Sequence, residues 1–198
     1  MSAPGVQGRP SRPFTGRWTL LIAISGDHGA GKSTVARELA RRLGLRYLSA
    51  GEIFRRMAEE RGMDLQEFSE YAERHPEVDR EIDRRLAEAE GEMVVDGRLA
   101  GWMVKGADLR VLLTAPLEVR LRRIAEREGR DLEEVREETV ARERSERKRF
   151  KELYGIDIDD LSVFDLVINT SRLGVEEEVE VLERLARRKK DGSGKGVR

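Results

Sequence analysis

A chain of 198 residues with 38% hydrophobic composition can build one α/β domain with a real core and a small insertion, and it excludes two large domains. Its 38 basic and 39 acidic residues leave a net charge of −1, so no global field recruits nucleic acid or a membrane. The lack of cysteine excludes disulfides, thiolate catalysis and cysteine metal sites, and no run approaches the roughly 20 apolar residues of a membrane span.

Residues 1–17 hold three of the five prolines and no periodicity, which predicts a mobile extension without the apolar core of a signal peptide, and hence a cytoplasmic protein. Residues 18–25 are almost continuously apolar, as a buried parallel strand requires, and 35–43 repeat apolar side chains at helical spacing. Between them stand Gly26, Asp27, His28, Gly29, Ala30, Gly31, Lys32, Ser33 and Thr34, with the Gly-x4-Gly-Lys-Ser spacing of a P-loop. A strand, a glycine-rich turn and a helix start in this order aim backbone N–H groups and the positive helix end at an anion. The glycines permit close approach, Lys32 reaches the β- and γ-phosphates, and Ser33 offers a hydroxyl to Mg²⁺. His28 is expected to face solvent with no role of its own.

A second strand is predicted over 46–50, followed by a long helical region. Within it, Asp64-x-x-Glu67 has the form of a capping box opening a helix over 65–74, and Pro76 stands where a helix leading into 78–90 begins. Residues 93–96, 109–114 and 164–169 read as three further strands, and 116–128, 131–153 and 175–190 as helices. The Gly/Ser-rich end at 191–198 reads as disordered. Alternation of this kind predicts a parallel doubly wound sheet that binds ligands at the C-terminal ends of its strands.

Those ends carry arginines. Arg55 follows the second strand, Arg98 the third, and the helix after the fourth bears Arg120, Arg122, Arg123 and Arg127. A protein that only hydrolysed nucleotide would need one cationic cradle, whereas transfer of a phosphoryl group to a second phosphate needs charge neutralisation on both substrates. The simpler reading of Arg55 and Arg98 is pairing with Glu52 or Asp96; their place at strand ends favours ligand contact.

The P-loop, the Ser-Ala-Gly-Glu-x-x-Arg segment at 49–55 and Asp96-Gly97-Arg98 together resemble a nucleoside monophosphate kinase. The stretches Val-Asp-Gly-Arg-Leu-Ala-Gly-Trp-Met and Lys-Arg-Phe-Lys-Glu-Leu-Tyr-Gly-Ile-Asp are similar to the archaeal type of cytidylate kinase. The resemblance implies a three-layer P-loop kinase fold with a five-stranded parallel sheet, an insertion binding the monophosphate at 50–90 and a lid at about 130–155. It implies ATP-dependent phosphorylation of CMP, and of dCMP, by a monomer that uses Mg²⁺ and engages neither nucleic acid nor membrane. A UMP or AMP kinase, or a kinase of dephospho-coenzyme A type, is the alternative.

By the same resemblance, Lys32, Arg98, Arg142 and Arg149 are catalytic, the last two from the lid. Arg123 would stack beside the adenine and Arg127 would face phosphates. The acceptor site would comprise Ser49, Gly51, Arg55, Asp79, Asp83, Asp96, Gly97, Arg98 and Glu146. From the residues alone, 142–149 also reads as a solvated, salt-bridged helix face. The bacterial type carries an arginine where Asp79 aligns, so base contacts are expected to differ; Asp79, Asp83 and Glu146 each offer a carboxylate to the amine of cytosine. Asp96 would either hold Mg²⁺ through water or orient Arg98.

Overall fold

The computed structural model describes residues 20–190, so the extension expected at 1–17 and the tail expected at 191–198 lie outside the described residues. Strand β1 (Leu21–Gly26) is buried along its whole length and occupies the centre of the sheet. Around it stand β2 (Arg46–Ser49), β3 (Met93–Asp96), β4 (Leu109–Thr114) and β5 (Leu166–Asn169), in the order β2-β3-β1-β4-β5. Every pair is parallel, and the register sets Ile24 beside Asp96 and Gly26 beside Leu113, so three strand ends finish together.

A central parallel strand must be apolar on both faces, and β1 is covered on both. Helices α1 (Lys32–Leu43) and α8 (Val175–Lys190) pack Val35, Leu39, Val179 and Leu182 onto Ile22, Ile24 and Val111. On the opposite face, α4 (Pro76–Ala87) and α5 (Ala100–Met103) bring Leu86 and Ala100 to Leu21, Ala23 and Val95. Helices α2 (Ala50–Glu59), α3 (Leu65–Arg74) and α4 share a separate cluster around Phe68, Met57 and Ile82. Phe68 is fully buried there, a contribution on the order of 2–3 kcal/mol. Helices α6 (Leu117–Glu128) and α7 (Leu132–Tyr154) join through Leu121, Ile124 and Val135.

Local chemistry sets the boundaries. The side chain of Ser49 accepts from the backbone N–H of Glu52, so α2 starts at Ala50 and β2 ends one residue earlier than the sequence predicts. Asp64 and Glu67 form the expected reciprocal capping box, and Pro76 opens α4, which ends at Ala87 instead of continuing to 90. Helix α5 has no counterpart among the predicted elements: four residues are too few to show a period. β5 begins at Leu166 and not at 164; Phe164 lies outside the strand and makes a T-shaped contact with Trp102, with 5.0 Å between centroids.

Candidate active site

The P-loop joins β1 to α1 and depends on backbone space. A Cβ on Gly26 would stand 2.1 Å from the carbonyl oxygen of Leu113, and one on Gly29, at φ +77°, 2.5 Å from that of Arg120. Neither position admits another residue. Lys32 lies at the start of α1 and donates its ammonium to the carbonyl of Asp27 at 2.7 Å. Burial, reinforced by Arg98, lowers its pKa to about 8, so it carries its charge at neutral pH. Ser33 donates to Asp96 at 2.6 Å, and Tyr47 donates to the other Asp96 oxygen at 3.3 Å. Asp96 therefore faces the helix start that bears Lys32 and Ser33, whereas Arg98 is held by other carboxylates.

Those carboxylates are Asp27 and Glu146. Arg98 Nη1 donates to Asp27, and its Nε forms an ion pair with Glu146 at 2.9 Å that lies off the axis of a hydrogen bond. Burial pushes the Asp27 carboxyl up, but Arg98 and Arg120 outweigh it and hold the group below its usual range. Gly97 lets the turn close: a Cβ there would come within 2.8 Å of Ala50. Arg55 is exposed, lies beside Gly51 and Ser49, and has no ion pair among the described residues. The pairings with Glu52 and Asp96 that the sequence allowed do not form; Glu52 is bound by Arg37 at 2.8 Å.

Helix α7 runs over this edge. Glu146 is buried and receives His28 Nε2 at 2.9 and 3.0 Å and Arg142 Nε at 3.0 Å, besides Arg98. One turn earlier, Glu143 accepts from the backbone N–H of His28 at 3.2 Å and from Arg120 at 2.6 Å. His28 is thus not the solvent-facing side chain expected from sequence: its ring is one-fifth exposed and bonds to α7. Burial depresses its pKa to about 4 against the pull of Glu146, so it is neutral at pH 7. Arg142 lies over the ring of Phe54, 5.3 Å from the centroid. Arg149 donates to Asp79 at 2.8 Å and to Ser145 at 2.6 Å, which ties α7 to α4.

Asp83 lies one turn along α4 from Asp79. Its Oδ2 is buried with no hydrogen-bond partner among the described residues, and burial raises its pKa to about 6. The Tyr154 hydroxyl interacts with it electrostatically without reaching hydrogen-bond geometry, and the phenol's pKa is raised in turn.

On the other side of the P-loop a cavity of about 320 Å³ opens beside Gly29, Gly31 and Thr34. Arg123 and Arg127 line it; Arg123 is fixed by Thr170, to Oγ1 at 2.8 Å and to the carbonyl at 2.7 Å, while Arg127 pairs with Glu128. Sequence reasoning did not single out Asp27 as a partner of Arg98, nor Glu143, Tyr154, Thr170 or Glu178, which also lines this cavity. The one available signal was the phase of α8, where Glu178 shares a face with Val179, Leu182 and Ala186.

A phosphate-binding turn at the centre of a parallel sheet, with Arg98 from the turn after β3 and Arg120 of α6 bonded to it and α7 lying over it, defines a P-loop kinase. The sequence profile of the cytidylate kinase-like family matches residues 21–89 and 77–172. The cytidylate kinase of Pyrococcus horikoshii is 54% identical over 79% of this chain and 83% of its own length; that of Methanopyrus kandleri is 51% identical over 83% and 92%. Among solved structures, shikimate kinase from Acinetobacter baumannii, in complex with shikimate, aligns over 84% of this chain and 92% of that one. Its TM-score is 0.55 at 19% identity, a likeness of fold. The chain belongs to the cytidylate kinase-like family. No helix among the described residues is long and apolar enough to cross a membrane.

Proposed function

We propose that the protein transfers the γ-phosphoryl group of ATP to CMP, with dCMP as a second acceptor, and works as a cytoplasmic monomer that engages neither nucleic acid nor membrane. The observation that carries the reading is that Arg98 and Arg120 bond the P-loop residues Asp27 and His28 while Arg142 reaches His28 through Glu146, with Arg55, beside Gly51, in no ion pair among the described residues. Arg55 and the terminal nitrogens of Arg98 and Arg142 that have no hydrogen-bond partner among the described residues give donors suited to two phosphorylated substrates, and relatives half identical in sequence are cytidylate kinases.

A monophosphate is largely ionised near neutral pH and needs no general base. Catalysis then rests on in-line placement and charge stabilisation. Lys32 neutralises the donor's phosphates; Arg55 and Arg98 hold the acceptor's phosphate; Arg142 and Arg149 come from the helix that closes above, keeping out the water that would compete as acceptor. Mg²⁺ fits the Ser33 hydroxyl and the Asp96 carboxylate, since it prefers few protein oxygens plus substrate phosphates, and it supplies charge neutralisation when bound. Of the three carboxylates considered for the cytosine amine, Glu146 and Asp79 are engaged by cations, whereas Asp83 keeps a buried oxygen with no hydrogen-bond partner among the described residues.

The test is a coupled assay of ADP release with CMP, dCMP, UMP, AMP and dephospho-coenzyme A as acceptors. CMP should give the highest kcat/KM. A tenfold advantage for any of the last three would overturn the acceptor while leaving a P-loop kinase.

A further inference from the structure

We propose that Glu178 reads the donor base, accepting a hydrogen bond from the exocyclic amine of adenine. The inference rests on the reading of the P-loop as the ATP site and adds to it the residue that selects the donor.

The cavity beside the P-loop is continuous with the phosphate cradle, because Gly29, Gly31 and Thr34 belong to both. A nucleotide with its phosphates on the loop has its nucleoside within reach of this cavity. At about 320 Å³ it is at the small end of ligand pockets, suited to one base and part of a ribose. Val35 gives it an apolar wall, and Leu173 and Val175, at 39% and 42% exposed, border it. Arg123 supplies a planar cation whose orientation Thr170 fixes.

Glu178 is the anomaly in that wall. It is 2% exposed, yet among the described residues its carboxylate has neither a hydrogen bond nor an ion pair. Arg123 acts on it only at longer range, its own donors being directed at Thr170 and Gly29. Its neighbours Glu176 and Glu177 are exposed at the start of α8, while Glu178 turns inward with Val179 and Leu182. Glu178 lines the cavity and is not among the residues whose side-chain oxygens are sealed in the interior without a partner, so its carboxylate is open to a ligand N–H placed there.

The protonation behaviour fits an adenine. Burial, with a push from Glu177, raises the Glu178 pKa to about 7 against Arg123, and Arg127 is the other charged residue of the wall. The ionised group accepts from the 6-amine. The protonated group does so through its carbonyl oxygen and can also donate to the neighbouring ring nitrogen, an acceptor. Guanine presents a carbonyl where adenine presents the 6-amine, so the ionised group, an acceptor only, would face another acceptor there.

The experiment measures kcat/KM with ATP and with purine riboside triphosphate, which has hydrogen in place of the 6-amine, using the monophosphate that proves best in the acceptor series. The wild type should prefer ATP about tenfold or more, since a site built for a hydrogen bond rejects the analogue lacking it. Glu178→Met, similar in size but without an acceptor, should reduce the preference to within about twofold and leave KM for the monophosphate unchanged. Glu178→Gln keeps a carbonyl acceptor and should keep most of the preference. Equal use of both donors by the wild type, or an undiminished preference in Glu178→Met, overturns the proposal. Failure of CMP appears in the acceptor series alone. If no monophosphate is phosphorylated, calorimetric binding of ADP against purine riboside diphosphate gives the same comparison.

Discussion

Glu146 Oε2 lies 2.9 Å from Nε of Arg98, and Glu146 Oε1 lies 3.0 Å from Nε of Arg142. A carboxylate that holds two guanidinium groups by their Nε atoms leaves terminal nitrogens for phosphate: Arg98 Nη2 and both Nη atoms of Arg142 have no hydrogen-bond partner among the described residues. Glu146→Ala would leave these charges, and the His28 ring, without their shared partner. We expect a loss of about 3–5 kcal/mol in urea unfolding, the scale for removing one member of a buried pair, together with a lower kcat. Unchanged stability would show that the carboxylate is dispensable to the junction.

Arg55 and Arg98 should separate. Arg55 has no ion pair among the described residues, so Arg55→Ala should raise KM for CMP at least about tenfold with stability within about 0.5 kcal/mol of wild type. Arg98→Ala removes the partner of Asp27 and Glu146, so the same kinetic loss should come with a lower Tm. Equal effects on ATP and CMP from Arg55→Ala would count against a role at the acceptor phosphate.

What the sequence made legible was local. The P-loop, the Asp64–Glu67 capping box and Pro76 at the start of α4 each depend on residues a few positions apart, and each forms where the spacing placed it. The contacts that organise the site are not local: Asp27 and Arg98 are 71 residues apart, and His28 and Glu146 are 118. No periodicity encodes such pairs. The run at 142–149 showed charges on a helix, but only the packing of α7 decides that Glu143 and Glu146 turn inward while Lys148 is exposed. His28 misleads for the same reason, since a polar residue in a loop looks solvated until a distant helix covers it.

Lys32→Ala should lower kcat at least about 100-fold, the scale for losing a preorganised charge donor. In the wild type the Lys32 pKa of about 8 sets a basic limb: the group is charged below that pH and loses its proton above it, so kcat/KM should fall as pH rises past 8. A change confined to KM, with kcat intact, would sink the assignment.

His28 predicts an acid-sensitive stability. Its pKa falls from the 6.5 of a solvated histidine to about 4 in the folded protein, so between these values the unfolded chain binds more protons. Stability is therefore complete above pH 6.5 and declines as pH falls towards 4. Urea unfolding from about pH 7.5 to about 4.5 should show a shallower decline in His28→Gln than in wild type. Parallel profiles would mean that the ring titrates freely in the folded protein.

Base choice is the most demanding prediction. Asp83 Oδ2 is buried without a partner among the described residues, one helical turn from an Asp79 that Arg149 already engages. Cytosine presents an amine where uracil presents a carbonyl, so a carboxylate there is satisfied by CMP and faces another acceptor with UMP. Asp83→Ala should therefore lower kcat/KM for CMP about tenfold or more and leave UMP nearly unchanged, narrowing the ratio from the CMP side. Because burial raises the Asp83 pKa to about 6, the ionised acceptor predominates above that pH; the CMP to UMP ratio should fall as pH drops through 6, and the variant should lose this dependence. If Asp83→Ala lowers CMP and UMP equally, the carboxylate supports the helix and another group reads the base.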